Sequence, residues 1–365
     1  MTREATLLQQ LAERPDDRAL RLVFSDWLQE QGDERGEVIA LWARGNLSLT
    51  ERRRVARITA THAGRWLGPL APLSDLHRTR FVGGFVEELV CAHGRPAGAF
   101  AALTGEPRLA TVRALTVPPS EAPAKLGGFL SSPVFRWLQR LELGSSDWQE
   151  LELGTGAALA PPRVVVGSWG VFQKELSPLR RVPLFQQATA LGLSTTELIN
   201  PMMVAEILQA VLLQHEALAH FEELTLTARY GILEGAAQWL LSCDRERGDA
   251  GRLFPRLQRW GVEYSDVVFV RSREDGGPLE HLTIDLSSPE TGEKRVSTTN
   301  NAETRIATAG AVLVQLGPAR LTSVVVKLPE GGRLRSHERG TLMAAARRSG
   351  SLQQFSVVGE ASVLP

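Results

Sequence analysis

The chain has 365 residues, 43% of them hydrophobic and 22% charged, with Lys+Arg and Asp+Glu equal at 41 each. Such a composition belongs to a soluble globular chain with a sizeable core and excludes global disorder; at about 100–200 residues per domain it predicts two to three domains or one elongated array. A net charge of zero lacks the basic excess of a dedicated nucleic-acid binder, and no apolar run approaches the ~20 residues a membrane helix needs, so neither nucleic acid nor membrane insertion is expected. The start Met1-Thr2-Arg3-Glu4-Ala5 has no apolar signal-peptide core behind it, and Cys91 and Cys243 cannot form a disulfide framework. Both features predict a cytoplasmic address. All but four of the basic residues are arginine, the exceptions being Lys125, Lys174, Lys294 and Lys327, a bias that a GC-rich genome writes.

Residues 1–70 read as a helical module. Leu7, Leu8 and Leu11 form an apolar stripe, and residues 14–17 break it. Asp16 or Asp17 can cap a second helix, in which Leu20, Val23, Phe24, Trp27 and Leu28 face inward and Gly32 supplies the stop. A third helix over residues 35–44 is expected to bury Val38, Leu41 and Trp42, with Asp33 at its N-cap. Ser48-Leu49-Thr50-Glu51 matches a capping box, and Val55, Ile58 and Trp66 follow on a fourth helix ending at Gly68-Pro69. Asp26, Asp33 and Glu37 read as caps and helix-start acids rather than a ligand cluster.

The string over residues 14–39, with Pro15-Asp16-Asp17, Arg21-Leu22-Val23-Phe24, Ser25-Asp26-Trp27-Leu28, Gly32-Asp33, Arg35 and Gly36-Glu37, resembles a bacterial repeat-companion domain. It departs from that pattern at Ser25, Gln29 and Val38. The family is a short helical cap at the N-terminus of leucine-rich-repeat-like proteins and carries no catalytic residues. What the resemblance implies is architecture, with repeats to follow.

From residue 80 a pattern of apolar, two polar, apolar, any, apolar recurs. It stands at residues 86–91, 112–117, 138–143, 221–226, 257–262, 279–284, 321–326 and 352–357, with a weaker copy at 188–193. Leu89, Leu115 and Leu141 are spaced by 26, and Val166 and Leu191 continue at intervals of 25. Periods of 20–29 with this spacing are those of leucine-rich repeats. Later intervals run 33, 36, 22 and 42, as insertions would produce. Helices are expected between copies over residues 201–215, 233–243, 306–316 and 339–348. The expected fold is therefore α/β: an irregular leucine-rich-repeat-like solenoid with a parallel sheet over residues 80–365, preceded by the small all-α module of residues 1–70. Leu89, Leu115, Leu141, Leu224, Leu282, Val324 and Phe355 should share one core. Two features depart from strict repeats. Ser120, Ser146, Arg229, Ser265 and Ser287 replace the usual ladder asparagine, and residues 148–153 repeat the pattern only ten residues after Leu141.

Nothing in the sequence recommends catalysis. The seven histidines lack zinc spacing, no glycine pair belongs to a nucleotide loop, and both cysteines read as buried small hydrophobes. Arg52-Arg53-Arg54 reads as a solvated face, and residues 287–305 as a long loop. On a solenoid, binding residues sit on outward strand positions. These are Glu87, Glu88, Val90, Arg113, Thr116, Gln139, Arg140, Glu142, Glu222, Glu223, Thr225, Glu280, His281 and Thr283, with Glu87, Glu88, Arg113, Arg140, Glu222, Glu223, Glu280 and His281 the leading candidates. The alternative is that these positions are merely solvated. The expectation is a non-catalytic scaffold or assembly subunit that binds another protein and needs no cofactor or metal. Alternatives are an immunity or regulatory protein that neutralises a cognate toxin, and an enzyme with an unrecognised loop site.

Overall fold

Short-range rules set the first four helices. Asp17 accepts from the Leu20 amide at 3.0 Å and starts α2 (Arg18–Glu30), after α1 (Arg3–Glu13). Asp33 accepts from the Arg35 amide and starts α3 (Glu34–Arg44). The Ser48/Glu51 capping box starts α4 (Leu49–Leu67). Leu7, Leu8, Leu11, Leu20, Phe24, Leu28 and Ile39 then close around Phe85, so the helical module packs on the strand that carries Phe85. Val38, Ile58 and Trp66 form a second cluster against Phe81.

The computed structural model describes residues 3–94, 97–118, 123–144, 151, 159–167, 182–195, 201–213, 215–228, 233–245, 254–264, 267–273, 278–287, 301–317, 319–329 and 332–359. Two compact units divide the chain, one built from Met1–Pro162 and the other from Arg163–Thr291 and Arg295–Pro365. The helical module thus shares a unit with the strands up to residue 144. Both units are mixed α/β with mostly parallel strands.

In the first unit, β1 (Arg80–Val82) pairs antiparallel with β2 (Phe85–Val90) through Gly83-Gly84. Both glycines have positive φ, 54° and 79°, as a two-residue hairpin turn requires. β2 then pairs parallel with β3 (Ala114–Thr116), and β3 with β4 (Arg140–Gly144). Leu89, Leu115 and Leu141 stand opposite one another and are fully buried, as their 26-residue spacing predicts. The connections are short: α5 (Ala97–Ala101), α6 (Pro123–Leu130) and single 3-10 turns at Pro107–Thr111 and Pro133–Trp137. Phe100, Phe129 and Phe135 meet edge to face beneath them.

In the second unit, β5 (Arg163–Gly167), β6 (Ala190–Thr195), β7 (Glu223–Ala228) and β8 (Arg259–Tyr264) run parallel. β9 (Val267–Ser272) reverses direction and pairs antiparallel with both β8 and β10 (His281–Asp285). β11 (Ser323–Lys327) and β12 (Gln354–Val358) resume parallel pairing. The connecting helices are α7 (Pro183–Gln187), α8 (Pro201–Leu213), α9 (His215–Leu218), α10 (Leu233–Arg245), α11 (Asn301–Gln315) and α12 (Ser336–Ala346). α10 is locked to the sheet by Trp239, which stacks on Trp260 at 4.6 Å and donates to the Gly261 carbonyl at 2.7 Å.

Several expectations need correction. The sheet is not wholly parallel: β1 and β9 run against their neighbours, and β9 explains the short 22-residue interval from Trp260 to Leu282, because a hairpin strand fills it instead of a helix. Val164, not Val166, stands opposite Leu191. Phe355 is in register with Val324 but only half-buried, on the last described strand. Trp42 and Val23 are exposed, at 45% and 49%, and Trp27 is half-buried. Val38 and Ile39 take the inward direction of α3, which leaves Trp42 beside them, covering the Gly83 turn with one face. Ser287 donates to the Asp285 carboxylate in its own turn. Ser120, Ser146, Arg229 and Ser265, residues 288–300, and residues 148–150 and 152–153 lie outside the described residues. Among the described residues no helix is long and apolar enough to cross a membrane.

Candidate recognition surface

Alternation along each strand sends one set of side chains to the core and the other outward. The predicted binding residues do lie on or beside the outward set, but most of the charged ones are held in ion pairs, some with one another and more with residues that the sequence did not single out. In the first unit Glu88, Ala114 and Arg140 occupy one row across β2, β3 and β4. Alanine leaves the middle of that row open, so Arg140 reaches Glu88 at 3.3 Å and Glu142 at 2.5 Å. Arg80 joins from β1, 2.8 Å from Glu87 and 3.6 Å from Glu88. Arg113 turns away from this group to Asp16, between α1 and α2, and to the Trp137 carbonyl.

The second unit repeats the device. Arg163, Ala190, Glu223 and Arg259 form one row across β5 to β8. Arg163 bonds Glu223 over Ala190, and Arg259 approaches the other carboxylate oxygen at 3.1 Å. Thr225 also donates to Glu223 at 3.1 Å. Glu280 lies 4.0 Å from Arg320, and His281 Nδ1 is 2.8 Å from the Ser323 hydroxyl.

Three outward candidates are in fact buried: Val90, Thr116 and Thr225, at 3%, 9% and 6% exposure. Glu87, Glu88, Arg113, Arg140, Glu142, Glu223, Glu280, His281 and Thr283 are half-buried, and Gln139 and Glu222 are exposed. Sequence reasoning missed Arg80, Arg163, Arg259 and Asp16, the partners that complete these groups. The readable signal was an alanine at the first outward position of a strand, with opposite charges at the matching positions of the strands on either side.

The surface holds ordered, mutually paired charge. Cys91 is buried, and that burial pushes its thiol up to about 12, so it holds its proton at neutral pH. The side chain of Cys243 lies outside those described. Among the described residues no group of three His, Cys, Asp or Glu could hold a metal ion.

Fold and surface together define a mixed α/β chain whose outward strand rows carry mutually paired charges. Compared with protein-family models, with curated proteins and with solved structures, the chain matches none.

Proposed function

We propose that this protein is a non-catalytic protein–protein interaction protein, a scaffold or a subunit of a larger assembly. In this reading the repeats form an irregular leucine-rich-repeat-like solenoid, and residues 1–70 are its repeat-companion cap. The in-register leucines at a 26-residue period and the packing of the helical module on Phe85 support that architecture.

One observation carries the functional reading. The rows Glu88–Ala114–Arg140 and Arg163–Ala190–Glu223–Arg259 hold charges of both signs in fixed places. Charges already ordered before association lose little side-chain freedom on binding and favour partners of complementary pattern. Beside these rows the exposed Gln139, Glu222 and Gln258 give a partner polar groups to contact.

The experiment is affinity capture from the native host with the wild-type chain, with Glu222→Arg and with Gln139→Glu/Gln258→Glu. The expected result is a captured protein whose yield falls at least several-fold with one of the variants, at unchanged melting temperature. Equal capture by all three would remove the outward rows from the interface and overturn this reading.

A further inference from the structure

Strand β12 has an open side. It pairs in parallel with β11 and, among the described residues, with no other strand. The Gln354 N–H donates to the Thr322 carbonyl, and the Leu328 N–H donates to the Val358 carbonyl. Along a strand the residues that bond one neighbour alternate with those that face the other way. Gln354, Ser356 and Val358 therefore spend their main-chain groups on β11. The N–H and C=O of Phe355 and Val357 point away from it and meet no partner among the described residues.

The core stops at the same place. One inward row runs Leu224, Trp260, Arg271, Leu282, Val324 and then Phe355; the next runs Leu226, Val262, Phe269, Ile284, Val326 and then Val357. Every member before β12 is at most 2% exposed. Phe355 and Val357 are only half-buried, because no strand stands on their far side among the described residues.

Proteins guard such edges with short strands, charges, proline, bulges or a covering element. In the first unit β1 is guarded in this way: it has three residues, carries Arg80, shifts register between Arg80 and Phe81, and lies under Trp66. β12 has none of these devices. Its sequence, Gln354-Phe355-Ser356-Val357-Val358, holds no charge and no proline, and its register with β11 is unbroken.

We propose that the open side of β12 is a dimer interface that pairs with β12 of a second copy of this chain, antiparallel, about a two-fold axis at Ser356. The strand is complementary to itself in that register. Phe355 stands opposite the partner's Val357 on the core side, and both N–H···O=C bonds of each such pair are made by the groups that face away from β11. On the outer side Gln354 meets the partner's Val358, so no charges are opposed. Sliding by two residues either way sets Val357 against the partner's Gln353 or Phe355 against the partner's Gly359. Of these three registers, the central one closes both core rows with apolar side chains.

The test uses the full chain. Sedimentation equilibrium of the wild type should show a mass that rises with concentration from that of one chain towards that of two. Ser356→Lys sets like charges opposite each other at the axis and should weaken association several-fold, as should Ser356→Glu. Mixing these two variants should restore the dimer, which a merely misfolded variant would not do. Under mild oxidation Ser356→Cys should form an interchain disulfide and Val358→Cys should not, since only residue 356 faces its own copy. A wild type that stays monomeric at every concentration, whether or not another strand fills the edge, overturns the proposal. So does a dimer that survives Ser356→Lys unchanged, or lysine and glutamate variants that fail to associate when mixed.

Discussion

Arg140 and Glu88 form an ion pair at 3.3 Å although the whole of strand β3 lies between their backbones. Strands two apart are separated by about 9–10 Å, so two long side chains can meet there only if the residue between them is short. Ala114 is that residue. Arg163 and Glu223 meet over Ala190 for the same reason. A double-mutant cycle on Glu88 and Arg140 is expected to give a coupling of about 0.5–1 kcal/mol, the range of a partly exposed pair. In an Ala114→Leu background the coupling should fall to zero. Persistence of the coupling there would mean that the pair does not pass over Ala114.

The neighbouring glutamates at the start of β7, Glu222 just before it and Glu223 its first residue, should behave oppositely. Glu222 is exposed, whereas the Glu223 side chain is 13% exposed between Arg163 and Arg259. Glu222→Arg is expected to change stability by no more than about 0.5 kcal/mol. Glu223→Arg would gather three cations in one row and should cost about 3 kcal/mol. Urea denaturation of the two single variants measures both. A joint reversal of the pair therefore does not probe binding in isolation from folding.

A side-chain contact separates two glycines that both have positive φ. Gly32 and Gly83 both have positive φ, 70° and 54°, but a Cβ at Gly32 meets nothing within 4 Å while one at Gly83 comes within 2.7 Å of Trp42. Gly32→Ala should cost about 1–2 kcal/mol from left-handed strain alone. Gly83→Ala should cost more, because Trp42 must leave the hairpin turn as well. Equal melting temperatures for the two variants would show that Trp42 does not rest on that turn.

The start of α4 predicts an acid-sensitive contribution. The Ser48 amide, then the Ser48 hydroxyl and then Arg44 hold the Glu51 carboxyl down to about 2, against an ordinary value of 4.5. A folded-state value below the unfolded one means stability that is present above about pH 4.5 and lost as the pH falls through about 2. Glu51→Gln should flatten the stability profile in that window and leave its shape above pH 5 unchanged. Proton-titration curves of the two chains by circular dichroism would reveal an unaltered profile if the capping box were not formed in solution.

By itself the sequence determined what short-range physics controls. Caps at Asp17, Asp33 and Ser48, the stop at Gly32 and the register of Leu89, Leu115 and Leu141 follow from local hydrogen bonding and from a constant period. What only the tertiary structure decided is which residues become neighbours where the period breaks. β9 escaped because it carries Arg271 where the other strands carry an apolar residue. That arginine stands between Trp260 and Leu282 in the core row, fully buried, and donates to the carbonyls of Leu240 and Arg320 at 3.2 Å each. A hydrophobic pattern cannot announce a buried cation, because the carbonyls that satisfy it come from segments 31 and 49 residues away. The same limit hid the partners of the candidate surface. Glu88 and Glu223 look like solvated carboxylates in the sequence, and only strand order brings Arg140 and Arg163 to them across an alanine.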